Sequence, residues 1–142
     1  MRILLLNGPN LGRLGLRQPE IYGSTTLAQV TEAVRERAAA RGSSVDALQT
    51  NHEGGLIDRL EQRDYDGVVI NPGAFTHYAW SLHDALAAFD GPVVEVHISN
   101  PNTREPWRHT SVVAPVATGS IMGFGMHGYE LAVDAVARRL AS

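Results

Sequence analysis

Residues 67–99 read GVVINPGAFTHYAWSLHDALAAFDGPVVEVHIS. Two continuously apolar runs, GVVIN and PVVEVHIS, flank YAWSLHDALAAF, which reads as a helix up to the stop signal DGP. Strands without polar alternation are covered on both faces, and a strand returned by way of a helix lies parallel to the first. The same alternation extends outward. RILLLN (2–7) is a buried strand, SVDALQT (44–50) alternates as a strand, GGLIDRLEQR (54–63) is a short helix, and GSIMGFG (119–125) is a fifth strand. Leu27, Val30, Val34 and Ala38 recur at helical spacing until Gly42, with Thr26 and Gln29 as a capping box; Tyr129, Ala132, Val133, Val136 and Leu140 mark a C-terminal helix. Strand and helix in turn predict an α/β fold, most simply a flavodoxin-like, doubly wound, five-stranded parallel sheet with helices on both faces. No internal repeat or linker divides residues 1–142, so one domain is expected.

Composition excludes more chemistry than it supports. The formal charge of -3 gives no basic footprint for nucleic acid. No apolar run reaches the roughly 18 residues of a membrane span, and the N-terminal apolar run is too short for a signal peptide, so no membrane association and a cytoplasmic location are expected. Cysteine is absent, which removes thiol nucleophiles, disulfides and thiolate metal sites. All twelve basic residues are arginine. Without lysine there is no Schiff-base catalysis, no pyridoxal phosphate attachment and no phosphate-loop lysine.

Ligands of doubly wound sheets lie beyond the carboxyl ends of the strands. Three predicted strands end there in polar groups: Asn7, Asn71 and His97. After Asn71, Thr76 and His77 are expected to open a helix whose free amides favour an anion. After His97 come the amides of Ile98 and Ser99, then NPNTREPWR with Arg104 and Arg108, a residue type suited to carboxylate or phosphate. Glu95 and His97 are two apart on a strand and share a face, so the carboxylate can orient or charge the imidazole.

The opening segment NGPNLGRLGLRQPEIYG (7–23) has no apolar stripe of either period, so it is expected to stay out of the core. It leaves the first strand at the same rim, and long connections of this kind are usually functional or disordered. A guanidinium at Arg17 close to the phenol of Tyr22 would favour the phenolate and make it a base near neutral pH. Such a loop, over about residues 11–24, could close as a lid. Other motifs fail: HEGGL at 52 has Leu56 where a zinc-protease motif needs its second histidine, and NGPNLG lacks a phosphate-loop lysine. No metal or nucleotide cofactor is indicated.

The stretches LLLNGPNLGRLG…RQPEIYG, QTNHEGGLID, VVINPGAFTH…LHDAL, VEVHISN and ATGSIMGFGMHGYELA resemble type II 3-dehydroquinate dehydratase, from about Ile3 to the last helix. The resemblance implies a cofactor-free trans loss of water from 3-dehydroquinate through an enolate, giving 3-dehydroshikimate in the shikimate pathway. It implies Tyr22 as base with Arg17 lowering its pKa, Asn10 holding a water at the enolate oxygen, and His97, oriented by Glu95, protonating the departing hydroxyl. Asn71 and the Ile98 and Ser99 amides would hold the substrate carboxylate. His77 and Arg108 would bind ring hydroxyls, Arg104 would lie near the lid, and Asp84 would reach a neighbouring subunit's site in a homododecamer, a tetramer of trimers.

The chain departs from the family pattern in SNPNTREPWRHTS (99–111), where Pro101 and Pro106 predict a reshaped wall beside Arg104 and Arg108, and in HYAWSLHDAL (77–86), with Trp80 and His83. Gly55 stands where a glutamate is usual. The residues alone leave room for a lyase acting on a related cyclic hydroxy-ketone, or for a non-catalytic flavodoxin-like binding module.

Overall fold

The computed structural model describes residues 1–142. Five parallel strands, β1 (Arg2–Asn7), β2 (Ser44–Gln49), β3 (Gly67–Asn71), β4 (Val93–His97) and β5 (Gly119–Met122), form one sheet in the order β2-β1-β3-β4-β5. The helices are a short α1 (Pro19–Tyr22), then α2 (Leu27–Ala39), α3 (Glu53–Glu61), α4 (Trp80–Ala87) and α5 (His127–Ala141). This is the expected flavodoxin-like winding, with its switch point between β1 and β3.

The period of two in the strands builds two cores. Ile3 and Leu5 of β1, Val69 of β3 and Val94 and Val96 of β4 join α2 and α5 on one face. Leu4 and Leu6, Val68 and Ile70, and Val93 join α3 and α4 on the other. Each apolar strand therefore feeds both layers, which is why its sequence shows no polar alternation. Thr26 and Gln29 cap α2 reciprocally, at 3.2 Å and 2.9 Å, and Asp134 of α5 accepts from Arg37 of α2 at 2.7 Å and from Arg41, just beyond the end of α2, at 2.8 Å.

Parity also decides where the polar strand ends point. Asn7 and Asn71, register partners, have the parity of the α2–α5 face. Glu95 and His97 have the parity of the other. The two layers thus send different groups to one rim.

Two expectations for the loops are corrected. The opening segment does enter the core: a 3-10 turn at Leu11–Arg13 buries Leu11, and Leu14 follows it into the α2–α5 layer. Two leucines on a single turn can be buried without any periodic stripe, so a pattern test misses them. The segment after Asn71 is a 3-10 turn, Gly73–His77, and α4 starts only at Trp80. Thr76 and His77 therefore end a turn and open no helix, and Phe75 N–H already donates to the Pro72 carbonyl at 3.2 Å. Gly8 and Pro72 carry the two loops of the switch point past each other, and a Cβ at Gly8 would lie 2.4 Å from the Pro72 oxygen. Only glycine permits that approach.

Candidate active site

A cavity of about 200 Å³ lies beyond the carboxyl ends of β1, β3 and β4. It is lined from three sides: Asn10, Arg17 and Tyr22 from the opening loop, Asn71 and His77 after β3, and His97 to Arg108 after β4. Ile98 and Ser99 lie on the same wall. Of the three polar strand ends, Asn71 and His97 reach the cavity and Asn7 does not. Asn7 is instead buried, where its Oδ1 accepts a hydrogen bond from the Tyr129 hydroxyl at 2.7 Å.

His97 is fixed from behind. Its Nε2 lies 2.6 Å from Glu95 Oε2, and Glu95 has no exposed surface. The carboxylate also accepts from the hydroxyls of Thr76 and, at 3.0 Å, Ser111; Ser120 Oγ lies 3.4 Å away. Burial by itself would raise the Glu95 carboxyl, but the bond and charge of His97 and the hydroxyls of Thr76 and Ser111 outweigh it, holding Glu95 below its ordinary value. The sequence points to Thr76 only as part of an anion-favouring helix start, not as a partner of Glu95, and gives Ser111 no role. They sit in loops without a period, 19 and 16 residues from Glu95 along the chain, and only the fold brings them there.

In the same cavity two guanidinium groups hold one phenol. Arg104 Nη1 donates to the Tyr22 oxygen at 2.9 Å and to Ser99 Oγ at 3.2 Å. Arg17 lies over the Tyr22 ring, 5.2 Å from its centroid. The cation touching the phenol oxygen is thus Arg104, 82 residues away, while the sequence neighbour Arg17 covers the ring face. The two prolines of the departing segment set this wall: Pro101 and Pro106 each begin a 3-10 turn. Arg104 and Arg108 stand at the ends of those turns. A fixed φ and a missing N–H suit the first position of a turn.

His77 donates from Nδ1 to the Thr110 carbonyl at 2.7 Å. Burial lowers its pKa below the ordinary histidine value, against the raising effect of that bond, so at neutral pH the ring is uncharged and presents an Nε2 lone pair. Arg108 is bonded to Glu105 at 2.8 Å and lies 4.0 Å over the centroid of Trp107, whose ring stands nearly perpendicular to that of His77 with the centroids 5.3 Å apart. Asp84, on α4, does not line its own chain's cavity. Nowhere do three His, Asp or Glu side chains come together in a way that could hold a metal ion, and no helix is long and apolar enough to cross a membrane.

Comparison with known proteins shows the family. A family model described as Dehydroquinase class II matches residues 1–137. Among curated relatives, a 3-dehydroquinate dehydratase of Roseiflexus castenholzii is 55% identical over 136 residues, covering 94% of this chain and 87% of the relative. One of Anoxybacillus flavithermus is 53% identical over 138 residues, covering 96% and 93%. The crystal structure of the type II dehydroquinase from Propionibacterium acnes superposes with a TM-score of 0.93 at 45% identity, covering 96% of each chain. A chain with this winding, this rim and these relatives belongs to the class II dehydroquinase family.

Proposed function

We propose that this protein is a type II 3-dehydroquinate dehydratase, a hydro-lyase of the shikimate pathway that converts 3-dehydroquinate to 3-dehydroshikimate. The observation that carries this reading is the meeting, in one cavity of a class II dehydroquinase, of a phenol held by a guanidinium and an imidazole held by a buried carboxylate. A trans elimination needs a base on one side of the ring and an acid at the departing hydroxyl on the other.

In this reading Tyr22 takes the proton from the carbon beside the ketone. The electron pair of that bond moves into an enolate, whose oxygen is held by a water on Asn10. His97 then delivers a proton through Nδ1 to the hydroxyl on the next carbon. The enolate collapses, the carbon–oxygen bond breaks, and water leaves a conjugated enone. Arg104 and Arg17 supply the positive charge that the deprotonated phenol needs, and Glu95 keeps the imidazole oriented. Asn71 and the amides of Ile98 and Ser99 hold the substrate carboxylate, while His77, through its Nε2 lone pair, and Arg108 take the ring hydroxyls.

The opening loop acts as the lid. Leu11 and Leu14 are rooted in the core, so closure belongs to the part beyond them, up to about residue 24. Asp84 lies outside its own cavity, which supports a role in a neighbouring subunit's site within a homododecamer, and the enzyme works in the cytoplasm. No cofactor takes part.

Steady-state formation of the conjugated enone from 3-dehydroquinate tests the activity. A folded oligomer without turnover would refute it and move the assignment to a related cyclic hydroxy-ketone. Borohydride added with substrate should leave activity intact, because a chain without lysine side chains cannot trap the ketone through a catalytic imine.

A further inference from the structure

Asn71 is 3% exposed, and both ends of its amide are engaged. Its Oδ1 accepts from the Gly73 N–H at 3.1 Å, and its Nδ2 donates to the Tyr129 hydroxyl at 2.8 Å. Tyr129, on α5, has no exposed surface, and its hydroxyl donates onward to Asn7 Oδ1 at 2.7 Å. The direction of this chain is forced from one end. A backbone N–H can only donate, so the oxygen of the Asn71 amide must face Gly73 and its nitrogen must face Tyr129. The phenol then has to accept from Asn71 and spend its single hydrogen on Asn7. Burial raises the Tyr129 phenol, so it stays neutral and can do both. An amide nitrogen carries two hydrogens, and only one of those on Asn71 is used by Tyr129.

We propose that Tyr129 is a positioning residue for substrate binding: with Asn7 it sets the Asn71 amide so that its second Nδ2 hydrogen is offered to the cavity. This rests on the reading of Asn71 as a holder of the substrate carboxylate. Tyr129 touches no substrate. It acts from α5, a helix that otherwise lines no part of the cavity, and it explains why two register-paired asparagines end adjacent strands. Nothing about the spacing of Tyr129 along α5 distinguishes it from a core residue; the bonding does.

The test is a double-mutant cycle on the purified full chain, with kcat and KM measured for 3-dehydroquinate in Tyr129→Phe, Asn71→Ala and the double variant. Tyr129→Phe is expected to raise KM about tenfold, the scale of one hydrogen bond to a charged ligand, with kcat within about twofold of wild type. In the Asn71→Ala background the same change should raise KM no further. Additive effects, an unchanged KM, or an equal loss in kcat would overturn the proposal and leave Tyr129 a core residue. If Asn71→Ala alone leaves KM at the wild-type value, the carboxylate reading fails first. Asn7→Ala provides a second route should Tyr129→Phe not fold: it frees the phenol hydrogen to turn toward Asn71, and the same rise in KM is expected, its absence counting against the chain.

Discussion

His97 Nε2 lies 2.6 Å from Glu95 Oε2, two residues back on the same strand. That contact fixes the ring and leaves Nδ1 as the nitrogen available to a molecule in the cavity. His97→Ala should lower kcat by at least about 10²-fold, the lower scale for a lost general acid. Glu95→Gln keeps the shape but not the charge, and is expected to lower kcat by at least about tenfold while KM moves little. Steady-state kinetics on both variants separate the roles, since a change confined to KM would make His97 a binding group.

The phenol of Tyr22 gives a second expectation. Tyr22→Phe should lower kcat by at least about 10²-fold with ligand affinity nearly intact, and a variant within twofold of wild type would remove Tyr22 from the mechanism. Arg104→Gln removes the donor that touches the phenol oxygen and the bond to Ser99 together. Its loss should fall mainly on kcat and should exceed that of Arg17→Gln, whose guanidinium lies over the ring. Equal losses in the two variants, measured side by side, would mean that the hydrogen bond adds nothing beyond proximity of charge.

The two halves of the site were not equally legible. Glu95 and His97 could be paired from the sequence because a strand's period of two is rigid, whereas the sharing of one face by Asn7 and Asn71 depends on the register between two strands. The strand order followed from the alternation of apolar runs and helices, whose signals are local. Arg104 escaped as the partner of Tyr22 because the two meet only through the fold, and a reader of the chain turns to the nearer Arg17. The bonds of Thr76 and Ser111 to Glu95 escaped for the same reason, and the burial of Leu11 and Leu14 because one 3-10 turn is too short to show a period. Trp107 was visible as a departure, but its place between Arg108 and His77 was not.

That place makes Trp107 a wall of the cavity. Its ring carries the Arg108 guanidinium at 4.0 Å and stands nearly perpendicular to that of His77, so both groups assigned to the ring hydroxyls rest on one indole. Trp107→Ala should raise KM about three- to tenfold, the range for a lost cation–π contact of about 1 kcal/mol, with kcat largely kept. Trp80 is the other indole of the chain. In a Trp80→Phe background, addition of substrate should therefore change the remaining fluorescence, and an emission that ignores substrate would place Trp107 outside the binding wall.

The hydroxyl cage around Glu95 should be visible in stability as well as in rate. The Glu95 carboxyl is held below its ordinary 4.5 in the folded protein, burial opposing and His97, Thr76 and Ser111 prevailing. As pH falls, the unfolded chain takes up this proton near 4.5 while the folded chain still resists it. The unfolded state then binds more protons, so the stabilisation is fully present above that pH and is lost as pH falls through the lower, folded value. Ser111→Ala removes one of the compensating hydroxyls and brings the two values closer. Ser111 also accepts from the amides of Val113 at 3.1 Å and Ala114 at 2.9 Å, so the variant carries a loop penalty that does not depend on pH. Urea midpoints across a pH series distinguish the two contributions, with wild type as reference because Asp64, Glu105 and Asp134 are also held low and add to any acid decline. The gap between wild type and Ser111→Ala should be widest near neutral pH and narrow as pH falls below 4.5, where wild type loses the advantage that the variant already lacks. A gap of constant size from pH 6 to pH 3 would assign Ser111 to the loop alone.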